Sequence, residues 1–340
     1  MKTAVILGMA AVLGFVAEGR AADGDTLAAV KGRDKVICGV NPGLIGFASP
    51  DANGNWTGFD VSFCKAIAAA VLGDPRKVEF RAMSGEDRFS NLAGGEVDLL
   101  SRNTTWTFSR DAELQIEFAG VNYYDGQGFM VSRTLGVSSA KELDGASICI
   151  QTGTTTALNL ADYFRANNMN FQPVNVDSNA EGEQQYLAGA CDAYTTDASG
   201  LAATRATFAN PADHIILPEI ISKEPLGPVV RHGDDNWGDI VRWTLYALIA
   251  AEEYGVTSAN IEELSKSSKN PEVQRLLGSE GELGAMLGLS NDWAKRAIAA
   301  SGNYGEIFAA TIGEQTPIGL ARGLNAQWTQ GGLLYAMPFR

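Results

Sequence analysis

The sequence predicts an α/β protein of two lobes, each a mostly parallel sheet flanked by helices, with two crossing strands between them. Three observations predict it. Apolar runs of strand length alternate with helical patterns from residue 36 to residue 217, the signature of βαβ crossovers. The alternation breaks near residue 126 and restarts at 147, so the same architecture occurs twice. The chain has 340 residues, of which 45% are hydrophobic and 19% charged, enough apolar material for two lobes.

Taken in order, Val36–Val40 reads as the first strand, and a Gly/Pro/Asn-rich loop runs from Asn41 to Gly58. A helix follows, with Val61, Cys64, Ala68, Val71 and Leu72 on one face. Lys77–Arg81 is a strand, Glu86–Ala93 a helix and Val97–Leu100 a third strand. Gly126–Ser132 is expected to cross to the second unit. There, strands at Ser147–Ile150, Phe171–Val176 and Ala193–Thr196 alternate with helices at Thr155–Asn167 and Ala180–Ala188 and from Asp197 onward. Ile215–Leu217 completes that unit, and the chain crosses back near Glu224–Val230. Beyond Asn236 the pattern is helical, with Trp237, Ile240, Val241, Leu245 and Leu248 at helical spacing, then Ala294–Ala300 and Tyr304–Ala310. The Gly- and aromatic-rich tail from Gly313 to Arg340 resists assignment.

The amino terminus reads as a secretory signal: Lys2, an apolar stretch from Ala4 to Ala17, and small residues Gly19 and Ala21 before a cut after residue 21. That cut removes Lys2, Glu18 and Arg20, a net +1, and moves the formal charge from −14 to −15. So acidic a surface argues against nucleic acid and anionic lipid as partners. The domain limits expected are a leader at 1–21, a first lobe from 22–128 and 229–340 with a helical extension, and a second lobe at 129–228. Four cysteines remain, Cys38, Cys64, Cys149 and Cys191, with no CxxC pair and only two histidines, which argues against a metal site. An exported chain with an even cysteine count suggests disulfides. Three connectivities are open. Cys38–Cys64 with Cys149–Cys191 keeps each pair within one lobe, and four buried thiols are the alternative.

Three strand ends carry chemistry. Ser101–Asp111 (SRNTTWTFSRD) offers an amide, hydroxyls and the Arg110 guanidinium just past an apolar strand, where ligands sit in open α/β sheets. A guanidinium matches a carboxylate with two parallel hydrogen bonds. Taken singly, Arg110 also fits a surface ion pair with Asp111 or Glu113. Gln151–Leu158 (QTGTTTAL) opens a helix, where Thr154 and Thr155 add hydroxyls to unpaired amides, although a threonine there is also a plain N-cap. Ala193–Asp197 (AYTTD) ends a strand with Asp197, itself either an N-cap or a carboxylate for an ammonium group. Together the three supply an anion site and a counter-charge, which fits the two charged ends of a free amino acid.

On these strings the chain resembles the periplasmic solute-binding proteins of amino-acid ABC transporters, solute-binding protein family 3, in the general or polar L-amino-acid branch. Further matches are Gly58–Phe63 (GFDVSF), with Ser62 where an acidic residue is usual, residues 151–164 (QTGTTTALNLADYF), residues 217–228 (LPEIISKEPLGP) and residues 303–308 (NYGEIF). The resemblance implies a type II periplasmic-binding-protein fold that closes about its hinge, binds L-amino acids as a monomer, and delivers them to a membrane permease without a cofactor. It implies that Arg110 clamps the α-carboxylate with the Thr155 amide and hydroxyl. Asp197 takes the α-ammonium, with Asn103 and Thr105 as further acceptors. Asn41, Leu44 and Phe47 would line the pocket from the first loop, with Leu44 where relatives often carry an aromatic. Arg88 reaches an acidic or amide side chain, or else is a solvated charge beside Glu86 or Asp87.

The alternative is an enzyme on the same fold, dehydratase-like and acting on a small carboxylate. Against it, the sequence has no GxSxG, HExxH or Walker loop, and neither His214 nor His232 falls in the three segments. Ser62–Lys65 and Ser138–Lys141 fit SxxK, but no KTG or SDN accompanies them.

Overall fold

The computed structural model describes residues 25–340, so the leader assigned to residues 1–21 lies outside the described residues. The two βαβ units form two five-stranded sheets. In the first, Val36–Val40 pairs in parallel with Val78–Ala82 on one side and Leu99–Leu100 on the other. Val229–Arg231 then joins antiparallel between Leu99–Leu100 and Ile116–Phe118. In the second, Ser147–Gln151 lies in parallel between Gln172–Val176 and Ala193–Asp197, and Gln127–Ser132 and His214–Ile216 complete it antiparallel.

The crossing segments differ from the sequence reading. Gln127–Ser132 lies inside the second sheet, hydrogen-bonded to strands on both sides, and so does not cross. The outbound crossing is Tyr123–Asp125, which pairs antiparallel with the return crossing Glu224–Leu226. The apolar centre of this segment, Phe129–Val131, reads as a span, but its burial comes from a central place in the sheet.

Each lobe has its own apolar core. Helix Phe59–Leu72 starts at Gly58, whose φ of 131° and the Phe47 carbonyl oxygen, 2.3 Å from where a Cβ would stand, admit only glycine. The helix packs its apolar face against Trp293–Ser301 and Asp235–Glu253. Phe47, Phe59, Tyr123, Tyr304 and Phe308 meet mostly edge to face beside it. In the second lobe, Phe129, Phe164 and Phe171 pack with Leu160 from helix Thr155–Ala166. A Cys38–Cys64 disulfide ties the first strand to the first long helix, and Cys149–Cys191 ties two neighbouring strands' segments in the second lobe.

The tail that resisted assignment wraps back on the first lobe. Arg322 pairs with Glu252 at 2.7 and 3.0 Å, and Gln327 Nε2 donates to the Ile249 carbonyl at 3.0 Å. Asn325 takes the Tyr124 N–H at 2.7 Å and donates to its carbonyl at 3.0 Å, bracing the outbound crossing strand as a strand partner would. Such side-chain contacts leave no periodicity for a sequence to show.

Candidate functional site

The site lies where three strand ends meet across the cleft. Residues Thr104–Trp106 run beside the return crossing: the Trp106 N–H donates to the Pro225 carbonyl at 2.8 Å, the Gly227 N–H to the Thr104 carbonyl at 3.0 Å, and Thr105 bridges Leu226. Asp60, in the first turn of helix Phe59–Leu72, holds the preceding turn by accepting from the Asn103 N–H at 3.1 Å and the Ser101 hydroxyl at 3.3 Å. Asn103 there adopts a φ of 36°, left-handed backbone that asparagine tolerates better than most residues. Burial pushes the Asp60 carboxyl up to about 7, against the pull of those hydrogen bonds and of Arg102.

Arg110 stands in helix Phe108–Glu113, whose N-cap Thr107 accepts the Arg110 N–H. Its guanidinium is buried and donates Nη1 to the Thr105 carbonyl at 2.9 Å. Burial lowers its pKa, while Glu224 and Asp197 favour the cation. Arg102, also buried, donates Nε to the Met83 carbonyl at 2.9 Å, and burial brings its pKa down to about 10. Arg88 is 2% exposed and stacks on Phe89 at 4.5 Å from the ring centroid. Its Nη2 reaches the Gly153 carbonyl at 3.4 Å, but Nε and Nη1 are buried without any partner. Burial, then the Arg102 and Arg110 charges, push its pKa well below the usual guanidinium value.

The second lobe answers with Thr154, Thr155 and Asp197. Thr154 holds the N-cap position of helix Thr155–Ala166, yet its hydroxyl donates back to the Gln151 carbonyl at 2.8 Å and caps nothing. Asp197 likewise stands at the N-cap of helix Ala198–Thr207 without a capping hydrogen bond. Asp125, from the outbound crossing, caps that helix instead, accepting the Ser199 N–H at 3.3 Å and the Ser199 hydroxyl. Asp197 is thereby released to face the cavity. Burial and the neighbouring Asp125 and Glu224 charges raise its carboxyl well above the usual range, and Arg110 and Arg88 oppose that rise.

Arg88, Asn103, Thr105, Arg110, Thr154, Thr155 and Asp197 therefore line one cavity of about 30 Å³. The three first-loop residues do not. Leu44 bridges Ala48 and packs, 3% exposed, into the first-lobe core. Asn41 stands one side chain back, its Nδ2 shared between Asn103 Oδ1 at 3.1 Å and Asn179 Oδ1 at 3.4 Å. Phe47 is core as well. The Thr155 hydroxyl donates to Glu224 at 2.9 Å, which leaves only its helix-opening N–H for a carboxylate.

Sequence reasoning missed Arg102, Gln151, Asn179 and Glu224. Arg102 adjoins a strand end already singled out, so position alone could have found it. Glu224 gave no local signal, because its partners come from residues 105, 155, 159 and 222.

Two sheets in two lobes, paired crossing strands and charged side chains converging from both sides define a binding protein for a small charged solute held between the lobes. The chain belongs to the bacterial extracellular solute-binding proteins, family 3, whose model matches residues 36–260. It is 67% identical over 340 residues to the glutamate/glutamine/aspartate/asparagine-binding protein BztA of Rhodobacter capsulatus, covering 100% of both chains. It is 58% identical over 322 residues to the general L-amino acid-binding periplasmic protein AapJ of Rhizobium johnstonii, covering 94% of each. Among solved structures, a periplasmic binding protein from Brucella ovis with glutathione bound aligns with a TM-score of 0.91 at 56% identity, over 94% of this chain and 100% of that one.

Proposed function

We propose that this protein binds free L-amino acids in the periplasm, with acidic and amide side chains preferred, and presents its closed, loaded form to the permease of an ABC transporter without transforming the ligand. One observation carries the reading: Arg110 from the first lobe and Asp197 from the second face one buried cavity. The Thr155 N–H at a helix opening supports the carboxylate end. Arg88, with Nε and Nη1 unpartnered beside that clamp, supplies donors for a side-chain carboxylate or amide oxygen. We place the changeovers between the lobes on the paired crossings, Tyr123–Asp125 and Glu224–Leu226, so the expected limit at 128 moves back to about residue 125, because Gln127–Ser132 belongs to the second sheet.

The named ligands of the Rhodobacter capsulatus and Rhizobium johnstonii relatives support this class. Glutathione, in the Brucella ovis structure, keeps a free α-carboxylate and α-ammonium on its γ-glutamyl end, so it belongs in the test panel.

Calorimetry with L-glutamate, L-glutamine, L-alanine and glutathione tests the reading, with mass balance to follow each ligand. Arg110→Ala and Asp197→Asn should each weaken glutamate binding roughly 30- to several-thousand-fold, the 2–5 kcal/mol of a buried charge left unpaired. Wild-type affinity in both variants places the ligand elsewhere, and turnover of the bound amino acid shows an enzyme.

A further inference from the structure

Glu224 is 1% exposed on the return crossing strand, and four side chains from three directions converge on its carboxylate. Oε2 accepts from the Thr105 hydroxyl of the first lobe at 2.6 Å and from the Thr155 hydroxyl of the second at 2.9 Å. Oε1 accepts from the Ser222 hydroxyl at 2.6 Å and from Asn159 Nδ2 at 2.6 Å. Both threonines also line the cavity beside Asp197.

We propose that Glu224 is a positioning residue for the ligand's ammonium group: it takes the hydroxyl protons of Thr105 and Thr155, so that both hydroxyls face the cavity as acceptors only. The inference rests on the reading that Asp197 receives the α-ammonium. A carboxylate only accepts, and a threonine hydroxyl has one proton to give. Once that proton lies on Glu224, lone pairs alone are left for the ligand. An ammonium carries three donors and no acceptor, and Asp197, Thr105 and Thr155 together offer three acceptors drawn from both lobes. A ligand with a hydroxyl in the ammonium's place supplies one donor to three acceptors, and leaves buried acceptors unmatched. Glu224 thus gives the pocket its preference for an amine over an isosteric alcohol, and it does so only when the lobes are together, because its two threonines come from opposite sides.

The test compares L-glutamate with L-2-hydroxyglutarate, by calorimetry, in wild type, Thr105→Val, Glu224→Ala, the double variant and Asp197→Asn. Thr105→Val removes the acceptor and keeps the shape. Glu224→Ala frees both hydroxyls to donate. Each should lower the preference for glutamate at least tenfold while hydroxyglutarate affinity changes far less. The double variant should lower it no further than Glu224→Ala alone, because Glu224 acts through the hydroxyl. If Thr105→Val and Glu224→Ala weaken both ligands by the same factor, or neither, Glu224 is a packing and hinge residue and the proposal fails. Thr105→Val settles the matter should Glu224→Ala not fold. An Asp197→Asn variant with unchanged preference overturns the zwitterion reading itself, whereas a collapse there with none in the other two overturns this inference alone.

Discussion

Replacing Arg88 by methionine separates a ligand contact from a structural charge. Arg88 is 2% exposed, and Nε and Nη1 have no partner in the protein. If those donors meet a side-chain carboxylate, their loss leaves that carboxylate buried and unpaired, about 2–5 kcal/mol, or roughly 30- to several-thousand-fold in glutamate affinity. Glutamine presents a neutral oxygen to the charged donor, a hydrogen bond that contributes about 1.5–3 kcal/mol, so it should lose roughly ten- to a hundredfold, less than glutamate. Alanine reaches neither donor and should bind within about twofold of wild type. Calorimetry at fixed pH and salt reads all three.

A second readout has the opposite sign. Methionine keeps the bulk of the side chain and a sulfur contact with Phe89, while removing two buried nitrogens whose unsatisfied donors cost about 1–3 kcal/mol per nitrogen. The unliganded variant should therefore melt a few degrees higher than wild type. An equal loss for alanine and glutamate, or a lower melting temperature, would show that Arg88 supports the fold rather than the ligand.

Three further outcomes follow from the same geometry. Gly153 has a φ of 66°, and a Cβ there would stand 2.6 Å from Glu86 Cγ across the cleft, so Gly153→Ala should hold the lobes apart and weaken binding at least tenfold, with small-angle scattering showing no compaction on adding glutamate. The Asp60 carboxyl rises from 3.8 to about 7 on folding, so the native state holds a proton that the unfolded chain has released. Its contribution is complete below about pH 4 and is lost as pH rises to about 7, by up to about 1.4 kcal/mol per pH unit. Melts of unliganded Asp60→Asn should lack that slope, and an unchanged slope assigns it to another group. Removing either disulfide, with sequence separations of 26 and 42, should destabilise by about 3.5–4 kcal/mol through loop entropy, and intact mass with and without reductant should find no free thiol before reduction.

What the sequence revealed follows the range of the interactions involved. Strands such as Val36–Val40 and helices such as Asp235–Glu253 carry their own periodicity, and so do the glycine turns between them. Ile116–Phe118 and Val229–Arg231 are three residues each, too short for alternation to register, and their pairing is set by the sheet. The strand-end rule picked out Arg110, Thr155 and Asp197, which line one cavity, because each follows a strand that can be recognised locally. The resemblance placed Leu44 in the pocket from the first loop, whereas it packs in the core, because whether a loop side chain points to a cleft or a core depends on residues such as Ile312 and Ile318 far along the chain. Glu224 was invisible for the same reason: nothing in KEPLGP announces three donors from distant segments.

On the function proposed above, the division of charge between the lobes couples ligand to closure. Arg88, Arg102 and Arg110 all belong to the first lobe, whereas Asp197 and the Thr155 amide belong to the second. Closing without ligand brings three guanidiniums out of water with a single cavity carboxylate, Asp197, facing them, and burial already depresses each of the three. Desolvation therefore opposes empty closure. On the function proposed above, a zwitterion reverses the balance, because its acid end meets the first lobe's cations while its ammonium meets Asp197. Only the closed form makes both contacts, so the ligand's differential affinity drives the shift. On the same reading, a ligand with one charge reaches one lobe and gains little from closure, and a second acid group on the ligand meets the Arg88 Nε and Nη1 donors that have no partner in the protein.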